Sequence, residues 1–245
     1  MSQSSRKPIV DPRQAERRRS ILIRVGAVVV LIAVAVAVGL WAVLSNESDT
    51  GSGSQVSVAT DTGAFRVTKA PAGTQPKAVL TVIEDFQCPA CRQFEESFGA
   101  TVAELRENPQ VAVDYHPIAI LDRSSSTQYS TRSANASACV AESTAGGGDF
   151  GVWQKFHDLL YQRQPEEGGA GLPDSELNSI AKEAGASNVN SCISDGQFKD
   201  WVTQQTQDVT QTGVNSTPTV RLNGQDLQLT TPEDLKARVE QALAG

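Results

Sequence analysis

Hydrophobic positions along this chain change their period several times, and each change marks an element. Val25 to Leu44 is an unbroken stretch of twenty uncharged residues, extended upstream by Ile21-Leu22-Ile23. That is enough apolar chain to cross a bilayer as a helix. Ala64 to Thr68 alternates like a short strand, and Ala78 to Ile83 is a β-branched run that reads as a buried strand. From Arg92 to Arg106 the period becomes helical, with Phe94, Phe98, Val102 and Leu105 on one face, until Asn108-Pro109 stops it. Val111 to His116 is again a strand, which completes a β-α-β unit with parallel strands.

The next stretch is helical throughout. Thr127 to Ser143 is a weakly patterned Ser/Ala-rich helix ended by three glycines. Asp149 to Gln162 carries Phe150, Trp153, Phe156, Leu159 and Leu160 at helical spacing, most simply as the core of this helical segment. Asp174 is placed to cap a helix over Ser175 to Ala184, and Val189 to Val209 holds one or two more. Then the strand period returns at Thr217 to Leu222. Asn223-Gly224 is a two-residue hairpin turn, Gln225 to Leu229 its return strand, and Thr231-Pro232 the start of a last helix.

Charge changes the picture at the N-terminus. Residues 1–24 hold seven Lys/Arg against Asp11 and Glu16, which leaves 14 basic and 26 acidic residues, a net of −12, in the remainder. An acidic body excludes a nucleic-acid face. The basic cluster next to the apolar stretch predicts a cytoplasmic tail over 1–20, an anchor over 21–44 and an outward-facing body. Arg24 and Trp41 flank the span as interfacial residues. A cleaved signal peptide would have a shorter apolar core and a small-residue cleavage site, and Leu44-Ser45-Asn46 is not one. Residues 45–63, rich in Ser, Gly, Thr and Asp, read as a flexible tether, and 64–245 as the folded domain.

The candidate chemistry lies in Phe86-Gln87-Cys88-Pro89-Ala90-Cys91, where a strand ends and a helix begins. The first turn of a helix offers unpaired N–H groups and the positive end of its dipole, which stabilise a thiolate. Pro89 suits the first helical position. Cys88 is then the exposed thiol of lowered pKa, and Cys91 lies one turn on, within disulfide reach. Zinc would need a second ligand pair, and the only histidines, His116 and His157, stand in no Cys/His-rich tract. His116 reads as structural. A purely structural disulfide would not need this junction, which leaves a redox-active dithiol as the favoured reading.

The element order β-β-α-β, helices, β-β-α is thioredoxin-like, with a helical insertion at about 122–212. Cys-Pro-Ala-Cys at a strand–helix junction, a large helical insertion and a Thr-Pro strand start resemble the DsbA-like family of disulfide oxidoreductases. The N-terminal anchor and second cysteine pair are similar to its membrane-tethered actinobacterial members. The resemblance implies a cis Pro218 whose loop faces Cys88, with the backbone of Thr217 pairing with substrate peptide. It also implies exported cysteine-containing substrates, reoxidation by a membrane quinone-linked partner of the DsbB or VKOR type, and no bound cofactor.

Some residues depart from the family pattern. Phe86-Gln87 replaces the Trp that precedes the motif in thioredoxins, and Val82 stands where the buried acid is usual. Glu84 and Asp85 follow, as candidate proton relays for Cys91 or as a solvated strand end. The neutral Pro-Ala dipeptide predicts a moderate oxidant. Cys139 and Cys192 lack motif spacing. Outside the membrane such cysteines usually pair, so they are expected to form a structural disulfide. Rival readings are a membrane-tethered reductase or isomerase, and a chaperone-like substrate-binding module that uses the insertion.

Overall fold

The computed structural model describes residues 54–245. The basic tail, the anchor and the first part of the tether lie outside the described residues, among which no helix is long and apolar enough to cross a membrane.

Five strands form one mixed sheet: β1 (Phe65–Thr68), β2 (Ala78–Glu84), β3 (Val111–Pro117), β4 (Thr219–Leu222) and β5 (Gln225–Asp226), in the order β1-β3-β2-β4-β5. The central pair β2–β3 is parallel, and the other neighbours are antiparallel. Helix α1 (Pro89–Arg106) connects β2 to β3. The insertion supplies α2 (Tyr129–Thr144), α3 (Gly151–Gln162), α4 (Asp174–Ala184), α5 (Asn190–Asp195) and α6 (Lys199–Gln211), and α7 (Pro232–Ala244) ends the chain.

The alternation of β2 decides what lies beneath the motif. Leu80, Val82 and Phe86 belong to the main core, whereas Ile83 points to the other face and packs with Ile118, Val209 and Val214. Glu84, two positions after Val82, is therefore aimed into the main core.

The insertion shares that core. Phe65 of β1 lies 5.1 Å from Trp153 and 5.9 Å from Trp201, centroid to centroid, and Tyr115 of β3 lies 5.3 Å from Trp153. The aromatic stripe of α3 is thus the seam between insertion and sheet, rather than the core of the insertion alone. Helix α2 has weak periodicity because it is buried nearly all round, with twelve buried residues in sixteen. Its Asn135 donates to the carbonyl of Ile193 at 3.4 Å and accepts the Phe198 N–H at 2.7 Å, which ties down the joint between α5 and α6. The Cys139–Cys192 disulfide joins α2 to α5 across the same region.

Three expectations shift. The packed domain begins before residue 64: Val56 is buried, and the Ser57 N–H and hydroxyl each donate to Glu142 at 2.7 Å. Val56, with Val58 and Ala59 packed beside it, docks a segment whose composition reads as tether. Asp174 does not cap α4. Pro173 holds the cap position, and the Asp174 carboxylate accepts from Arg132 at 2.7 Å instead. The return strand β5 is only two residues long, although the turn forms as its residues require, with Asn223 and Gly224 both at positive φ.

Candidate active site

The chain turns from β2 into α1 over four buried residues, Asp85 to Cys88, and side chains far away in sequence hold that turn. Asp85 accepts the Gln87 N–H at 2.9 Å on one carboxylate oxygen and the Leu121 N–H at 3.0 Å on the other. The Gln87 side chain donates to the Leu121 carbonyl at 2.7 Å. Gln164, just beyond α3, donates to the carbonyls of Phe86 and Cys88 at 3.0 and 2.9 Å. Cys88 sits at the N-cap of α1 with extended backbone, and Pro89 takes the first helical position. The first turn closes with Cys91 N–H donating to the Cys88 carbonyl at 3.0 Å.

The two cysteines are free thiols with opposite chemistry, and both are buried: Cys88, expected to be the exposed thiol, is only 6 % exposed and Cys91 1 %. The Cys88 thiol is held down to about 6 from 9.0, first by the hydrogen bond from the Cys91 thiol. Burial opposes this, and the Thr217 side chain and the backbone N–H groups of Cys91 and Ala90 add to it. The helix N-terminus therefore contributes, but the partner thiol contributes more. Cys91 is pushed well above the ordinary thiol range, first by its own burial and then by Cys88.

The Thr217–Pro218 peptide is cis, and the Cys88 Sγ stands 3.2 Å from the Thr217 carbonyl oxygen. Next to it runs a groove of about 610 Å³ whose walls include Phe94, Phe98, Val214, Pro218, Leu227 and Leu229. The turn of β2 into α1 thus touches the loop before β4, and the groove opens beside that contact.

Neither Glu84 nor Asp85 is a solvated strand end. Glu84 is 1 % and Asp85 0 % exposed. Burial raises Asp85 to about 7 against its hydrogen bonds. Glu84 meets His157 of α3, whose Nε2 lies 3.0 and 3.1 Å from its two carboxylate oxygens. Burial, the largest influence, pushes the imidazole down, but the charge of Glu84, the hydrogen bonds with Asp158 and Glu84 and the charge of Glu95 together outweigh it and raise the ring to about 10. Glu95 of α1 completes the cluster, with its carboxylate within 4.8 Å of the other two groups. His157, Glu95 and Gln164 were not singled out from sequence. One signal was present: Trp153, His157 and Leu160 are spaced four and three apart, which puts the histidine on the buried stripe of α3. His116 is buried on the other side of the sheet, where it lines a separate cleft with Ile83 and Val209.

Residues 72–241, well over half of the chain, match the family model described as thioredoxin. The chain belongs to the thioredoxin family. Within it, the chain is similar to two solved Mycobacterium tuberculosis proteins, each at 36% identity. The reduced form of DsbA matches with a TM-score of 0.64 over 74% of this chain and 93% of that one. The reduced form of the disulfide bond oxidoreductase DsbG matches with a TM-score of 0.66 over 77% and 91%. The MdbA protein of Corynebacterium diphtheriae shares the fold at 22% identity, with a TM-score of 0.61 over 78% and 96%. A curated relative of another build is the serine/threonine-protein kinase PknE of M. tuberculosis, 36% identical over 114 residues. That match takes in 44% of this chain but only 19% of the kinase. With its paired thiols, this member of the thioredoxin family is a protein thiol–disulfide oxidoreductase.

Proposed function

We propose that the chain is a membrane-anchored, extracytoplasmic oxidase that passes a Cys88–Cys91 disulfide to exported proteins. The observation that carries this reading is the asymmetry of the pair, Cys88 low and Cys91 high. A stabilised Cys88 thiolate is a good leaving group and favours the reduced state of the dithiol, which makes the disulfide an oxidant.

The steps follow from that asymmetry. A substrate thiolate attacks Cys88 Sγ, the Cys88–Cys91 bond breaks, and Cys91 leaves with the electron pair and takes up a proton. A second substrate thiolate then attacks the substrate sulfur of the mixed disulfide and expels Cys88 as thiolate. The substrate has lost two electrons and gained a disulfide, and the enzyme dithiol is reduced. Reoxidation reverses the exchange on a partner's disulfide, for which a membrane quinone-linked protein of the DsbB or VKOR type is the proposed source. Thr217 and Pro218 present backbone to the substrate peptide in the groove beside Cys88. Glu84 receives and returns the proton of Cys91. Asp85, tied to two N–H groups, serves mainly to hold the motif turn. No bound cofactor is needed for any step.

The twenty uncharged residues from Val25 to Leu44, next to the basic tail, support the anchor and the outward orientation. Thiol trapping of Cys88 and Cys91 in cells tests the direction. An oxidase keeps the pair mostly oxidised at steady state. A mostly reduced pair would instead mark a reductase or isomerase.

A further inference from the structure

His157 is a buried imidazole with both nitrogens engaged. Its Nε2 faces Glu84 in the core, and its Nδ1 lies 3.2 Å from the Asp158 carboxylate, whose side chain is 55 % exposed. The ring is enclosed by Phe86, Tyr115, Trp153 and Tyr161, with centroids 5.1–5.8 Å away, and is itself 2 % exposed. On the outer side, α1 and α3 leave a cleft of about 400 Å³, lined in part by Glu95, Arg106, Tyr115, Asp158 and Tyr161. One oxygen of Glu95 is buried there without a hydrogen-bond partner. The core acid and the solvent-facing acid are thus joined through one ring.

That connection meets a need of the proposed exchange. Cys91 is 1 % exposed, yet its proton must leave and return in each cycle. Glu84 is close enough for its charge to raise Cys91, but it is itself sealed from water. A proton accepted by Glu84 changes the charge of a sealed pair, and that change needs a route to solvent.

We infer that His157 is that route: it couples Glu84 to the cleft between α1 and α3, so that when the proton of Cys91 moves to Glu84 the imidazole releases one of its own to solvent through Asp158. This rests on the exchange proposed above. During reoxidation Cys91 gives its S–H proton to Glu84 and attacks Cys88 Sγ as thiolate. The Cys88–Cys91 bond forms, and the bond from Cys88 to the partner sulfur breaks with the electron pair leaving on that sulfur. Neutralised Glu84 no longer holds the imidazolium, whose Nδ1 proton passes to Asp158 and the cleft. When Cys91 later leaves as thiolate it retrieves the Glu84 proton, and the ring regains one at Nδ1. Protons balance over the two halves.

The groups that face this route are Glu84 from β2, Cys91, Glu95 and Arg106 from α1, Tyr115 from β3, and Asp158 and Tyr161 from α3. Burial keeps both tyrosines protonated, so they wall the route without joining it. His157 touches neither substrate nor sulfur and acts through Glu84, as a positioning residue for the proton.

The test uses the reduced protein and an aromatic disulfide that releases a coloured thiolate. Attack by Cys88 releases one equivalent, and attack by Cys91 on the resulting mixed disulfide releases the second. In His157→Gln, which keeps a donor toward Glu84 but cannot relay, the first release should keep its rate. The second should slow roughly tenfold or more near neutral pH, and the deficit should shrink as rising pH lets hydroxide take the proton. Equal rates for both releases in wild type and folded variant, or an equal slowing of both at all pH, would overturn the relay. If His157→Gln does not fold, Asp158→Asn at the exposed end decides: a slower second release supports the relay, an unchanged one ends it. Absence of the first release in the wild type would instead refute the dithiol reading beneath it.

Discussion

Cys88 and Cys91 stand three positions apart at the start of one helix, whereas Cys139 and Cys192 are 53 positions apart on two. The first pair is reduced and chemically unequal. Both lie in the core, and they differ because Cys88 caps a helix and accepts hydrogen bonds that outweigh its burial, whereas burial dominates at Cys91. The second pair is closed and links α2 to α5, with no strand–helix junction at either cysteine. Spacing alone does not make this difference. The redox pair depends on what surrounds each sulfur, and the structural pair on how much chain it closes.

The sharpest way to break the comparison is to delete each pair in turn. Cys88→Ser should abolish turnover of a reduced peptide substrate, because no other thiol at the groove can form the mixed disulfide. Cys139→Ser with Cys192→Ser should retain turnover at moderate temperature and lose stability instead. On the chain-entropy account, a loop of this sequence separation contributes about 4 kcal/mol, an upper figure that denaturant unfolding would check. Loss of activity at unchanged stability would exchange the roles of the two pairs.

A smaller effect should appear between redox states. Cys88 has a depressed folded-state pKa, so its thiolate contributes stability that is present above the ordinary thiol value and is lost as pH falls through about 6. The oxidised protein has no such thiolate. At pH 7 the reduced form should therefore melt higher than the oxidised one, and the gap should close as pH is lowered past 6. A gap that does not change with pH would remove the thiolate as its cause.

Asp85→Asn should act more weakly on the chemistry. The amide places a donor against one of two N–H groups, at a cost of roughly 1–3 kcal/mol. Burial raises Asp85 from 3.8 to about 7, so the wild-type advantage is fullest below about 4 and declines as pH rises through 7. Removing a charge that opposes the Cys88 thiolate should also move Cys88 further down. An upward move in the thiolate titration would contradict this.

Much of this site was legible because it is local. The motif, its strand and its helix lie within 29 residues, and Pro89, the Asn223-Gly224 turn and the Thr231-Pro232 helix start act over one turn each. The Glu84–His157 contact was not legible, since it spans 73 residues and rests on the docking of the insertion against the sheet. Gln164, 76 residues from the Cys88 carbonyl it supports, was hidden for the same reason. Glu84 itself was visible as a candidate, but the strand period gives its face and not its depth. The boundary at 63 failed on a different scale: Val56, Val58 and Ala59 are a short apolar patch in polar chain, too little to alter a composition window.

The central claim is the inequality of Cys88 and Cys91, and titration of the thiolate absorbance of the reduced protein tests it most directly. The account predicts a transition at about 6 that vanishes in Cys88→Ser and moves upward in Cys91→Ala, because the Cys91 thiol is its leading cause. A Cys88 transition at or above the ordinary 9.0, or one unmoved by Cys91→Ala, would contradict it.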